Sequence, residues 1–210
     1  MFSLFPLFLA AFPGAPAADA APRTESVHLQ LQSDVLSRSS LRVHEADVSR
    51  QAAGVGPGAG RTSLAGGYFL RPSSEVGVRL DLRQIRLDDD VVERQRSDLR
   101  LAATYTHWFR VDKQWRATAT GALGLSRWEE DGRLQARGPF VAAGGGLHWF
   151  ATPRASLSAG LEATHSLGGR FEQDGVEGSS RYSSAGIAAV GGLNVFLGGK
   201  MPRRKARRRR

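Results

Sequence analysis

Leu99-Arg100-Leu101-Ala102-Ala103-Thr104-Tyr105-Thr106-His107-Trp108-Phe109, a break at Arg110-Val111-Asp112-Lys113-Gln114, and then Trp115-Arg116-Ala117-Thr118-Ala119-Thr120-Gly121-Ala122-Leu123-Gly124-Leu125 decide how this chain folds. Before the break, Leu99, Leu101, Ala103 and Tyr105 oppose Arg100, Ala102, Thr104 and Thr106. After it, Trp115, Ala117, Ala119, Gly121, Leu123 and Leu125 oppose Arg116, Thr118, Thr120 and Ser126. Apolar residues that recur every second position share one face of a strand. Two such runs around a short polar break read as an antiparallel hairpin.

The same pattern extends outward along the chain. Val76, Val78, Leu80 and Leu82 alternate with Gly77, Arg79, Asp81 and Arg83, and Leu157, Ala159, Leu161, Ala163 and Leu167 with Ser158, Gly160, Glu162, Thr164 and Ser166. The His-Trp-Phe tripeptide at 107–109 returns at His148-Trp149-Phe150, again before a polar turn. Tyr68-Phe69-Leu70 and Val195-Phe196-Leu197 close comparable runs. Aromatic rings at one level of successive hairpins are what a membrane–water interface selects. Tyr68, Phe69, Trp108, Phe109, Trp115, Trp149, Phe150 and Phe196 are therefore the expected interfacial aromatics.

Eight strands are predicted, at 26–37, 62–71, 75–87, 98–109, 115–128, 139–151, 156–168 and 182–198. Gaps after the second, fourth and sixth are short. Those at 38–61, 88–97, 129–138 and 169–181 are longer and polar. The expected fold is all-β: an eight-stranded antiparallel up-and-down transmembrane β-barrel with short periplasmic turns and longer extracellular loops. Strands of this length suffice, since a tilted spanning strand needs about 9–11 residues. Glycine clusters at Gly144-Gly145-Gly146 and Gly191-Gly192 fall inside strands, where they relieve crowding on a narrow inner wall.

Residues 2–12 are almost wholly apolar, and Ala18-Asp19-Ala20 has the form of a signal-peptidase site, so residues 1–20 are expected to be a signal peptide. The barrel is expected to occupy 21–199. There are no cysteines, which removes disulfides and thiolate chemistry. The net charge of +9 belongs to the last segment: Lys200, Arg203, Arg204, Lys205, Arg207, Arg208, Arg209 and Arg210 carry eight positive charges, whereas 21–199 is nearly neutral. Residues 200–210 read as a basic disordered tail. It lacks interleaved aromatics for base stacking, so its expected contacts are anionic lipid or cell-wall polymer.

The apolar start, the alternation, the loop asymmetry and the final Gly192-Leu193-Asn194-Val195-Phe196-Leu197 together resemble the small eight-stranded outer-membrane β-barrels of the OmpA/OmpX type, across about residues 26–198. The last segment is similar to the assembly signal on the final strand of those barrels, although Phe196 falls out of phase with Val195 and Leu197. The resemblance implies outer-membrane localisation, contact with outer-membrane lipid and the barrel-assembly machinery, and a monomer.

An eight-stranded barrel is only wide enough inside for side chains. Phase places Gln30, Arg79, Asp81, Arg83, Arg100, Arg116 and Glu162 there. Buried charges of mixed sign are expected to pair, giving a plugged lumen, and a proton or ion path is the functional alternative.

Catalytic residues, cofactors and metals are not expected. Of His28, His44, His107, His148 and His165, only His165 has local partners, in Ser166 and Glu162. Adjacent strand residues face opposite sides, so His165 and Ser166 should not meet. Asp88-Asp89-Asp90 lacks the spaced ligands of a calcium loop, and Glu129-Glu130-Asp131 reads the same way. The leading expectation is a non-enzymatic barrel with a structural or surface-interaction role and an extracellular partner of unknown identity. An outer-membrane lipid-modifying enzyme and a soluble lipocalin-like barrel with a polyanion-binding tail are the alternatives. The lipocalin-like reading demands an apolar interior.

Overall fold

A computed structural model describes residues 22–43, 48–55, 60–89, 92–130, 134–173 and 180–198. The expected signal peptide, the basic tail, His44 and Asp90 lie outside them. Among the described residues there are ten strands: β1 (Ser26–Val43), β2 (Val48–Val55), β3 (Arg61–Arg71), β4 (Ser74–Asp89), β5 (Val92–Arg110), β6 (Trp115–Glu130), β7 (Leu134–Thr152), β8 (Ala155–Ser166), β9 (Gly169–Gln173) and β10 (Ser180–Gly198). Eight of them close a ring in the order β1, β3, β4, β5, β6, β7, β8, β10, each antiparallel to its neighbours. The seam joins the two ends of the chain: β1 pairs with β10 from Ser26 opposite Gly198 to Val43 opposite Tyr182. Closure pairs every wall strand on both sides and removes the open edge.

The two remaining strands belong to the distal end, opposite the turns. β2 pairs with residues 36–43 of β1. β9 continues the line of β8 between β7 and β10 after a break at Leu167-Gly168, where Gly168 takes φ +95°. Much of what the sequence suggested as loop is therefore strand. β1 runs on to Val43, β4 to Asp89 and β6 to Glu130, and β5 and β7 begin at Val92 and Leu134. The physical reason is that a hairpin zipped up inside the wall lengthens at little cost, one ladder bond at a time. Polar side chains suit that extension once it stands in water. Asp88 and Asp89 accordingly sit in β4.

Alternation sorts the side chains as an inverted protein. Leu31, Leu64, Val78, Leu101, Leu123, Leu125, Leu161 and Ile187 are among the large apolar residues exposed on the outer wall. Arg61, Arg79, Asp81, Arg83, Asp98 and Glu162 are buried inside. A soluble lipocalin-like barrel requires the reverse, so that alternative falls. Trp115 to Leu125 on β6 spans ten residue-to-residue steps, or about 25 Å of membrane depth at a 40° tilt, matching the usual apolar band.

Four of the eight expected interfacial aromatics point the other way. Phe69, Trp108, Phe150 and Phe196 are inside, at most 5% exposed, and pack on one another at the turn end. Tyr68, Phe109 and Trp115 are outside, and Trp149 is half-buried beside its cross-strand partner Trp115. Neighbouring residues of a strand cannot share a face, so each aromatic pair splits between lipid and lumen. Phe196 is out of phase with Val195 and Leu197 because it belongs to this inner plug.

Candidate functional site: the lumen

The lumen is filled in layers. At the turn end the aromatic plug closes the barrel, and His28 is built into it. The His28 ring stacks on Phe196 at 4.6 Å and meets Trp108 edge-on at 5.6 Å. Its Nδ1 lies 2.8 Å from Glu75 Oε1 and its Nε2 3.0 Å from Asn194 Oδ1. Trp108 Nε1 donates to Glu75 Oε2 at 2.9 Å. Asn194 Nδ2 donates to the Ser156 carbonyl and Ser158 Oγ, fixing the amide. Gly67 makes room for this arrangement: a Cβ there would lie 1.8 Å from Glu75 Oε1. His148, beside the Trp108 ring, approaches Thr118 Oγ1 at 3.3 Å.

Above the plug is a cavity of about 70 Å³, bounded by His28, Trp108 and His148 on one side and Arg79 and Glu162 on the other. It has polar walls and room for a few waters. Gln30 lines it and donates to Gln32 Oε1 at 3.0 Å.

The middle layer is ionic. Glu162 on β8 reaches across to two arginines: Arg61 Nη1 at 2.6 Å and Arg79 through both terminal nitrogens. Arg61 also donates to Asp81 Oδ2 at 3.3 Å and Asp34 Oδ1 at 3.2 Å. Arg79 Nε is 3.0 Å from Asp81 Oδ1, close in charge but misaligned for a hydrogen bond. A β-bulge between Asp34 and Leu36 turns Asp34 inward while Val35 and Leu36 both face out. Farther along, Arg100 forks onto Asp98 and its guanidinium stands 5.5 Å over the Phe140 ring. Arg83 donates to Ser39 Oγ at 3.4 Å beside a second cavity of about 30 Å³. In this part of the lumen Arg61, Arg79, Arg83 and Arg100 stand against Asp34, Asp81, Asp98 and Glu162, so the charges balance. At the distal end Trp128, Ala136 and Tyr182 pack together inside.

Sequence phase thus brings Arg79, Asp81, Arg83, Arg100 and Glu162 into one stretch of lumen. Arg116 lies inside too, but in a different layer. It pairs with His148, four residues below the Gly144–Glu162 level on the β7–β8 ladder, and donates to the Asp112 and Trp115 carbonyls. Arg61, Asp34, Asp98, His28, Glu75 and Asn194 were missed. Arg61 and Glu75 stand at the starts of β3 and β4, and Asp98 directly follows the polar stretch 88–97, where alternation is too short to assign a face; Asp34 lies mid-strand and is turned inward by the bulge, and His28 and Asn194 share the inward parity of Gln30 and Phe196.

His165 is exposed on the outer wall and Ser166 is buried inside, where it accepts a hydrogen bond from the Ser184 amide. The wall separates them. Among the described residues no group of acidic or histidine side chains could hold a metal ion.

No protein-family model matches this chain, and no curated protein does. Solved structures do. Neisserial surface protein A is similar with a TM-score of 0.54 at 11% identity, over 80% of this chain and 96% of that one. The outer membrane protein AlkL, solved in lipid bilayers, matches with a TM-score of 0.54 at 9% identity, over 90% and 99%. OprG from Pseudomonas aeruginosa gives 0.48 at 10% identity, over 85% and 98%. Ring closure, an apolar outer wall and the likeness to Neisserial surface protein A and AlkL agree: the chain has the fold of the small eight-stranded outer-membrane β-barrels of the OmpA/OmpX type.

Proposed function

We propose that this protein is a non-enzymatic outer-membrane barrel whose lumen is plugged and whose role is structural or surface-interacting. One observation carries the reading. An aromatic layer at the turn end, an ion-paired layer in the middle and the distal Trp128 and Tyr182 each fill the lumen, and the cavity of about 70 Å³ between the first two has room for a few waters. The distal ends, where β2 pairs with β1 and β9 with β10, lie opposite the turns and supply the contact surface for an extracellular partner. The opposite wall positions of His165 and Ser166 support the non-enzymatic reading. The basic tail, following β10 at the turn end, would meet acidic headgroups or cell-wall polymer in the periplasm.

Planar-bilayer recording tests the plugged lumen. The full chain should insert without stepwise conductance, and lipid A isolated from cells expressing it should keep its mass. Steady channel steps would overturn the plug, and a lipid A mass change would overturn the non-enzymatic role.

A further inference from the structure

Four arginines stand in register on the outer wall at the distal end. Arg127 on β6 is the direct partner of Arg137 on β7, Arg137 of Arg170 on β9, and Arg170 of Arg181 on β10. All four are exposed. Strands lie about 4.8 Å apart, so the row covers roughly 15 Å of wall. Like charges directly opposite each other weaken a ladder. Folding alone gives no reason to align four. Glu129 lies 3.3 Å from Arg127 and Glu172 3.3 Å from Arg137. Among the described residues no carboxylate pairs with Arg170 or Arg181.

The depth of the row matters as much as its charge. Leu125, two residues before Arg127 on the same face, is 67% exposed, and Leu167, on the neighbouring wall, is also exposed. The row therefore begins where the apolar belt ends, at headgroup level. Among the described residues, the exposed aromatics Tyr68, Tyr105, Phe109 and Trp115 sit toward the other end of the belt. The turn end carries exposed basic residues as well, at Arg71, Arg110, Lys113 and Arg154, but those are spread over separate turns, whereas the distal four stand in one ladder row. The row is also one-sided: the cross-strand partner of Arg127 on β5 is Leu99. A guanidinium fork matches phosphate oxygens in pairs, which an aromatic girdle cannot do.

We propose that Arg127, Arg137, Arg170 and Arg181 bind the phosphates of lipid headgroups in the leaflet at the distal end. This rests on the outer-membrane reading. The full chain would be folded into phosphatidylcholine vesicles, insertion checked by heat-dependent gel mobility, and bound lipid counted by native mass spectrometry after adding bis-phosphorylated or dephosphorylated lipid A. The phosphorylated form should be preferred by roughly thirtyfold, given about 1 kcal/mol near an anionic surface for each of the two arginines, Arg170 and Arg181, that no carboxylate offsets. The preference should shrink with salt and disappear in the Arg137→Gln/Arg170→Gln/Arg181→Gln variant. Deleting residues 200–210 should leave it intact. Equal uptake of the two lipids, survival in the triple variant, or loss on tail deletion would each overturn the arginine row while leaving the barrel standing. Failure of the full chain to insert would overturn the membrane reading and this proposal together.

Discussion

Replacing Glu162 by Gln should cost this barrel about 3–5 kcal/mol, the range for removing one member of a buried ion pair. The structure shows why the value belongs there. Glu162 pairs with both Arg61 and Arg79, hydrogen-bonding Arg79 where Asp81 only stands close to it, and its side chain is 8% exposed. At an effective dielectric near 20, a unit pair about 4 Å apart is worth about 4 kcal/mol, so two lost attractions exceed the final figure. The water-sized cavity beside Arg79 returns some of the loss through hydration. After the change, Arg61, Arg79, Arg83 and Arg100 face only Asp34, Asp81 and Asp98. Removing both charges restores the balance, so Arg79→Met/Glu162→Met should lie within about 1.5 kcal/mol of the parent. Urea unfolding in phosphatidylcholine vesicles, followed by tryptophan fluorescence and by gel mobility, measures both. A Glu162→Gln cost below about 1 kcal/mol, or strict additivity of the two Met changes, would show that the layer is solvated rather than interlocked.

Three other outcomes follow from the facing of the wall and from the plug. Leu123→Arg, at 59% exposure on the lipid side, should destabilise by about 2–4 kcal/mol near mid-membrane. Cys at 123 or 161 should react with a lipid-soluble reagent and resist a water-soluble one, and the reverse pattern would mean that the sheet is inside out. Phe196→Ala removes the ring stacked on His28 and, at 5.2 Å, on Phe150, and should cost about 3–5 kcal/mol. Unfolding unchanged within 1 kcal/mol would show that the aromatic layer is dispensable.

The wall was legible because its signal is redundant: Leu99 to Tyr105 and Trp115 to Leu125 each repeat the same choice of face several times. The plug was carried by the same phase and still misjudged. Trp108 shares parity with Arg100, Ala102, Thr104 and Thr106, which places it inside. Its position beside a turn suggested the interface instead. Composition overrode geometry there, and likewise at Phe69, Phe150 and Phe196. Arg61 and Asp34 were hidden for another reason: one is the first residue of β3, and the other depends on a bulge that shifts the period. The extended distal hairpins were hidden because polarity distinguishes water from lipid, not loop from strand.

The β1–β10 seam governs how such a chain must reach its final state. Ser26 and Gly198 meet across almost the whole length of the wall, and His28 reaches Asn194 and Phe196 over the same seam. Hairpins from β3 to β8 involve near neighbours in sequence and can pair early. The seam cannot form until the last strand has been made, and it carries the largest loop-closure entropy in the molecule. Until then both terminal strands present unpaired backbone to any other chain nearby. Folding should therefore be slow, of high contact order and concerted at its final step, and dependent on a catalyst or chaperone that shields the two free edges until they meet.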